Sequence, residues 1–393
     1  MSRSLQEMFK DALSCMENDK FDDALPNLNT IIDLRPILVA SYVQRGRVNW
    51  EMHRWDQARA DFNEAFTLDP DSADAKWTMG LMELQLGNFE HGWKLYDERW
   101  NSSSFKSPKL KTRLPSWEIG KGYKSVLVWC EQGIGDQLLY GSLLSALKQH
   151  VDKVTVMIDI RLLNLFKRAN PNIKFIPHNT KVQNSEYDSQ IAVASIGGHF
   201  IKRASQIDAY RATKYIQPDQ NRIEQIKQEL QIKPGEFVVG LSWASTAPSI
   251  AKHKSIELKN LLGLWDIPNI KIVNLQYGKP DYDIEPFESE TGKIIHQTTV
   301  NNFFDLEGVA AIMSLCDTVV SVSNANVHLA GAMGIPTYVL DANKLWYWNH
   351  KNGRHSLFYP SVRLYPRDNM VAPWDEQVQQ IIEELKAYAL SRD

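Results

Sequence analysis

Little cysteine, no long apolar run and no excess of one charge mark this sequence, and each absence removes a class of protein. The 393 residues hold three cysteines, Cys15, Cys130 and Cys316, far apart and outside any CxxC or Cys/His cluster. A disulfide framework and a zinc-finger type of site are excluded, and reduced, buried thiols are expected. No apolar stretch approaches the roughly 20 residues that span a bilayer. The start, MSRSLQEMFKDALSCMEND, sets Glu7, Lys10 and Asp11 where a secretory segment needs uninterrupted apolar residues. A soluble, cytoplasmic protein is expected. Lys and Arg number 44 against 47 Asp and Glu, a net charge of -3, so the basic footprint that drives phosphate-backbone binding is missing and nucleic acid is not expected as a partner. What remains is ordinary globular composition, 43% hydrophobic and 23% charged, enough for two or three domains.

The chain opens on a repeat. Ala12, Gly46 and Gly80 stand 34 residues apart, as do Phe21, Trp55 and Phe89, then Ala24, Ala58 and Gly92, then Leu28, Phe62 and Tyr96. Pro36 and Pro70 keep the same interval and end the second helix of their units, because proline has no N–H to donate. Small residues in two columns let paired helices approach, and bulky ones in the other two fill between them. This pattern resembles the tetratricopeptide repeat, which implies three helical hairpins over residues 1–100 with a concave face that holds a peptide or a neighbouring domain.

Residues 101–124 are rich in Ser, Lys, Pro and Gly and keep neither helical nor strand period, which reads as a linker. Strand patterns follow at 126–130, 153–159, 173–177 and 189–194, with helical patterns between the first pairs. The alternation restarts after the connecting helix NRIEQIKQELQI, with strands at 237–243, 270–277, 318–323 and 335–340 and helices near 256–265, 307–316 and 326–333. Two Rossmann-like halves with parallel sheets are expected, 125–220 and 221–393. The second closes on an amphipathic helix striped by Val378, Ile381, Ile382 and Leu385. Two such halves bring their strand carboxyl ends to a cleft, where ligands bind.

Three segments could carry chemistry there. Glu131-Gln132-Gly133-Ile134-Gly135-Asp136 is a glycine turn between a strand and a helix, where Gly133 and Gly135 let a ligand approach the backbone. It lacks the third glycine of the dinucleotide fingerprint, which argues against NAD. Asp136 reads either as an acid complementing the helix dipole or as a carboxylate able to take a proton from an acceptor hydroxyl. The segment SVSNANVHLAGAMGIP ends a strand at Ser323 and opens a helix near Asn326, whose N–H groups suit a diphosphate. His328 is there either a polar cap or a donor to phosphate oxygen. In the third segment, Trp243 lies in LSWAS and Lys254 in KHKS. Lysines at a helix N-terminus are explained by an anion nearby or by plain exposure. Asp281 and Asp283 fall in DYDIE, read as a loop, and no metal is called for.

Taken together, GNFEHGWKLYDERW, LPSWEIG, VLVWCEQGIGDQLLYGSLL, VVGLSWAS, HKSIEL, SVSNANVHLAGAMGIP and LWYWNHKNGRHSLFYPSVRLY resemble proteins that join tetratricopeptide repeats to a glycosyltransferase of the two-Rossmann (GT-B) type. The catalytic part is similar to the heptosyltransferases and, more distantly, to the O-linked N-acetylglucosamine transferases. The resemblance implies a C-terminal crossing helix and an acceptor domain followed by a donor domain. It also implies transfer of a sugar from a nucleotide-diphospho-sugar to a protein or glycan hydroxyl, with no cofactor and no metal. Matched residue by residue, it implies Asp136 as catalytic base, and Gly133, Gly135, Trp243, Lys254, Ser323, Asn324, Asn326 and His328 as donor-binding. One difference stands out. The heptosyltransferases read Asp-Thr-Gly before that histidine, and this chain reads Ser323-Asn324-Ala325. The difference supports a second reading, a degenerate transferase fold kept as a scaffold while the repeats mediate protein–protein interaction.

Overall fold

The computed structural model describes residues 3–246, 251–342, 345–348, 354–368 and 372–391. The chain forms two compact units, residues 3–109 with 201–204, and residues 110–200 with 205–391. Within the range expected as a linker, 101–109 therefore belong to the first unit and 110–124 to the second. Pro115 to Trp117 are built into a sheet: Trp117 N donates to Gln190 O at 2.7 Å, Gln190 N to Pro115 O at 2.9 Å, and the Trp117 side chain is buried.

The first unit is helical: α1 (Leu5–Glu17), α2 (Phe21–Leu34), α3 (Val39–Glu51), α4 (Trp55–Leu68), α5 (Ala73–Gln85) and α6 (Phe89–Tyr96). Odd helices begin at Leu5, Val39 and Ala73 and even ones at Phe21, Trp55 and Phe89, so the 34-residue period of the sequence is the period of the hairpins. The small and bulky columns meet. A Cβ on Gly46 would lie 2.8 to 3.1 Å from three atoms of the Phe62 ring, and one on Gly80 would lie 2.8 Å from Tyr96 N. Phe62 is fully buried. Gly46→Leu should therefore destabilise this unit by about 1–3 kcal/mol, since overpacking outweighs the ~1 kcal/mol gained in helix propensity. Phe62→Leu in the same chain should return part of the loss; urea melts of the two variants that show no such recovery would refute the apposition.

The second unit carries two all-parallel sheets. The first has order β3-β2-β1-β4, with β1 (Ser125–Trp129), β2 (Lys153–Ile158), β3 (Lys174–Pro177) and β4 (Ser189–Ala192). Its helices are α7 (Ile134–Gly141), α8 (Leu144–Lys148), α9 (Leu163–Ala169), α10 (Ile196–Phe200) and α11 (Ala204–Tyr210). The connecting helix α12 (Gln220–Leu230) begins at Asp219, whose side chain accepts from the N–H groups of Asn221 and Arg222.

The second sheet has order β6-β5-β7-β8-β9, with β5 (Phe237–Ser242), β6 (Ile270–Asn274), β7 (Thr318–Val322), β8 (Thr337–Asp341) and β9 (Val362–Pro366). Around it run α13 (Ala251–Lys254), α14 (Asp281–Thr291), α15 (Leu306–Ser314), α16 (Ala325–Met333) and α17 (Asp375–Leu390). Near-continuous burial of the β1, β2, β5, β7 and β8 residues is what a sheet covered on both faces demands.

Three expectations are corrected and one strand is added. DYDIE is the start of α14 rather than a loop. The stretch expected as a helix near 256–265 is 3-10 in form, Leu258–Asp266. Strand β9 was not expected. The terminal helix α17 is part of the second half: Val378, Ile381, Ile382 and Leu385 join Phe237, Leu261 and Tyr365 in the core of the second sheet, so this stripe does not serve a crossing element.

Candidate functional site

Both sheets end in turns that meet. After β1 the chain passes through buried Glu131 and then Gln132, whose φ of 66° puts a non-glycine residue in the left-handed region. Such backbone strain gathers at ligand sites. Gly133 precedes α7, and its N–H donates to Asp136 Oδ2 at 3.3 Å, so the carboxylate folds back over the turn. Asp136 is half-buried. Desolvation raises its carboxyl to about 6, with Glu131 adding to the rise and the Gly133 N–H and Lys254 opposing it.

Gly135, one residue earlier, lies against His328 of α16. A Cβ on Gly135 would come 2.9 Å from His328 Cδ2 and 3.3 Å from Nε2. The imidazole is buried, stacks on Trp348 with centroids 4.8 Å apart and planes 24° apart, and meets the edges of Tyr347 and Tyr359. Its Nδ1 lies 3.0 Å from the Tyr359 hydroxyl. Burial, and then the positive charge of Lys254, lower its pKa to about 3, so the ring is neutral at physiological pH. Lys254 is itself buried and is felt by both Asp136 and His328. The fold thus gathers Gly133, Gly135 and Asp136 of one turn with Lys254 and His328, which lie far from it in sequence. Gly135 is accounted for by the ring it faces.

The other expected residues are held by the protein itself. Ser323 Oγ accepts from Trp348 Nε1 at 2.7 Å. Asn324 caps α16, with Oδ1 accepting from Asn326 N at 3.0 Å, and its Nδ2 donates to Ser242 Oγ at 2.8 Å and Ala244 O at 3.1 Å. Asn326 Nδ2 donates to Leu275 O at 2.7 Å. These bonds fix the ends of β5, β6 and β7 to one another. Trp243 is 2% exposed in the core of the second sheet, and its Nε1 donates to Asp283 Oδ2 at 2.9 Å.

Sequence reasoning missed Gln276. Its Oε1 accepts from Ser242 Oγ, Trp243 N and Ala244 N at 2.8 to 3.0 Å, while Nε2 donates to the carbonyls of Ala244 and Tyr277. Nothing in NLQYG marks it, because a side chain that ties two strand ends shows only in three dimensions. Beside it a polar cavity of about 200 Å³ opens at the end of β6, lined by Asn274, Gln276, Tyr277, Gln297, Asn301 and Asn302. Asn302 Oδ1 is buried there with no hydrogen-bond partner among the described residues. Among those residues no group of three or more His, Cys, Asp and Glu side chains could hold a metal ion, and no helix is long and apolar enough to cross a membrane.

A helical N-terminal region followed by a parallel-sheet α/β part defines an architecture resembling GT-B glycosyltransferases. Among solved structures the chain is similar to the glycosyl transferase family 9 protein from Veillonella parvula DSM 2008, at a TM-score of 0.51 and 14% identity, over 70% of this chain and 99% of that one. It is also similar to the E. coli ADP-heptose lps heptosyltransferase II, at a TM-score of 0.45 and 13% identity, over 68% and 99%. The likeness to the first is one of fold. No protein-family model matches the chain. Protein FlbA of Caulobacter vibrioides is 25% identical over 384 residues, 91% of this chain. The chain spans 63% of the length of that curated relative.

Proposed function

We propose that this protein is a glycosyltransferase that moves a sugar from a nucleotide-diphospho-sugar to a hydroxyl of a protein or glycan. The observation that carries the reading is Asp136. A carboxylate raised to about 6, at the head of α7 and beside a turn that touches the second half, is tuned to take a proton near neutral pH. In the reaction Asp136 takes the proton of the acceptor hydroxyl as its oxygen attacks the anomeric carbon. The buried Lys254 and the N-terminus of α16 stabilise the charge that develops on the leaving diphosphate. The amide-lined cavity at the end of β6, with its unmatched Asn302 acceptor, suits the nucleoside. We take the three hairpins as tetratricopeptide-type repeats whose groove presents the acceptor, because their small and bulky columns meet as that repeat requires.

A second reading has its own observation. Ser323, Asn324 and Asn326 are each engaged within the protein, as a scaffold that has lost its donor site would engage them. A thermal-shift screen against nucleoside diphosphates and their sugars separates the two. The enzyme should be stabilised by at least one, by about 2–4 kcal/mol at 100 to 1,000 times its Kd. Absence of stabilisation by every member of the panel favours the scaffold.

A further inference from the structure

The polar cavity at the end of β6 has one wall that is held from the first half as well as from the second. That wall is the turn over residues 301–305, of which Asn301, Asn302 and Phe303 line the cavity. The turn is stiff inside. Asn301 Oδ1 accepts from the N–H groups of Phe303 and Phe304 at 3.1 Å, and Asn301 O accepts from Asp305 N at 2.9 Å. Its ties within the second half are few: Asn302 Nδ2 donates to Asn274 O at 3.3 Å and to Gln276 O at 3.0 Å, and Asp305 Oδ2 accepts from Arg222 on α12 at 2.8 Å. Burial adds little, because Phe303 and Phe304 are 46% and 68% exposed. Where Phe303 goes, Asn301 and Asn302 go with it.

Two arginines of the first half reach this piece of chain. Arg161, between β2 and α9, donates from Nη1 to Phe303 O at 3.1 Å and lies 5.5 Å from the centroid of the Phe303 ring. Its other nitrogens are spoken for: Nε and Nη2 donate to Asp159 Oδ1 and Oδ2, both at 2.9 Å, and Asp159 N donates to Gln137 Oε1 on α7, also at 2.9 Å. The tie thus starts on the helix that carries Asp136. Arg168, on α9, makes a two-point pair with Glu307 of α15 at 2.9 and 3.0 Å, and Glu307 Oε1 also accepts from Asp219 N at 2.6 Å. Such pairs fix direction as well as distance. The cavity of about 430 Å³ that Arg161, Arg168 and Arg222 line does not call for an ion, since each guanidinium already has a carboxylate, Asp159, Glu307 and Asp305 respectively. The arginines form a clasp and not a ligand site.

We infer that Arg161 and Arg168 are positioning residues through which the first half sets the wall of the cavity in the second. A ligand in that cavity then binds the clasped arrangement more tightly than a released one, and by reciprocity its binding tightens the clasp. That the ligand is a nucleoside diphosphate rests on the proposed transferase reading; the clasp does not.

The test is hydrogen exchange on the full chain, read in the wild type, in Arg161→Met and in Arg161→Met with Arg168→Met. Without ligand, the amides of residues 301–305 should exchange at least about 5-fold faster in Arg161→Met, and faster again in the double variant, while those of β5 and β7 keep their protection. Arg161→Lys, which can still donate to Phe303 O, should recover part of the loss. Unchanged exchange at 301–305 in Arg161→Met overturns the clasp, and so does a rise spread evenly over both sheets, which would mark a merely structural role. With ADP, CDP, GDP and UDP as probes, the tightest binder of the four should lose about 10-fold in affinity in the double variant and, in the wild type, slow exchange at 159–168 as well as at 301–303. Undiminished affinity in a variant whose turn is released overturns the positioning role. If none of the four binds the wild type, the nucleoside assignment fails, and the ligand-free exchange still decides the clasp.

Discussion

If Asp136 is the base of a sugar transfer, Asp136→Asn should cut that transfer by about 10²–10⁴ while making the protein more stable at neutral pH. The two effects have one cause. Desolvation holds the native carboxyl at about 6, above the usual carboxylate range, so above pH 6 folding keeps an ionised group where its charge is disfavoured. Between about pH 4 and 6 the native state binds a proton that the unfolded state does not, so this penalty grows as the pH rises through that window and is fully present at pH 7. The asparagine amide is never charged, and its oxygen can still accept from the Gly133 N–H. With part of the side chain in contact with solvent, a gain of about 1–3 kcal/mol is expected, seen as a higher Tm at pH 7.5 that shrinks towards pH 4. Loss of the base should cost about 10²–10⁴ in kcat, with the affinity for a nucleoside diphosphate kept. In the wild type, kcat should fall as the pH drops through about 6. Transfer that survives in Asp136→Asn removes the residue from the role of base. Loss of stability instead of gain would show that its contacts matter more than its desolvation.

The order of elements was legible because both of its periods are strong. Four columns at 34 residues announce three hairpins, and short apolar runs between helical stripes announce two parallel sheets. Strand β9 escaped because no helical stripe precedes it: the sequence before Val362 is rich in aromatic residues, so the alternation that marks the other strands of its sheet is broken. DYDIE reads as a loop in the sequence, yet α14 starts at Asp281 and runs through Pro286 to Thr291. At the candidate site, the two turns were legible as strand–turn–helix junctions. What each side chain does in them was not. Asn324 and Asn326 read as ligand-binding amides in one dimension, and in the structure their Nδ2 groups also tie strand ends together. Gln276 and Tyr359 carry no local signal, since each acts on a residue at least 30 positions away. The glycines were legible only as absences of a side chain, and what fills the space at Gly135 is a residue of the other half.

That apposition predicts the second large effect. Gly135→Ala sets a methyl carbon 2.9 Å from His328 Cδ2 and 3.3 Å from Nε2, closer than such atoms rest. The ring has little room to withdraw: Trp348 is stacked on it, and Tyr359 holds its Nδ1. Either α7 shifts or the imidazole leaves its stack, and an overpacked contact of this kind costs about 1–3 kcal/mol. A glycine needed only for ligand approach would behave otherwise. Its alanine variant would keep its stability, gain up to ~1 kcal/mol of helix propensity and lose only binding. The double variant with His328→Ala separates the cases, because removing the ring removes the clash. The two substitutions should then be less damaging together than the sum of their separate costs, by about 1 kcal/mol or more in urea melts. Strict additivity would mean that the two turns do not touch as described, and the assembly of Asp136, Lys254 and His328 into one site would lose its structural basis.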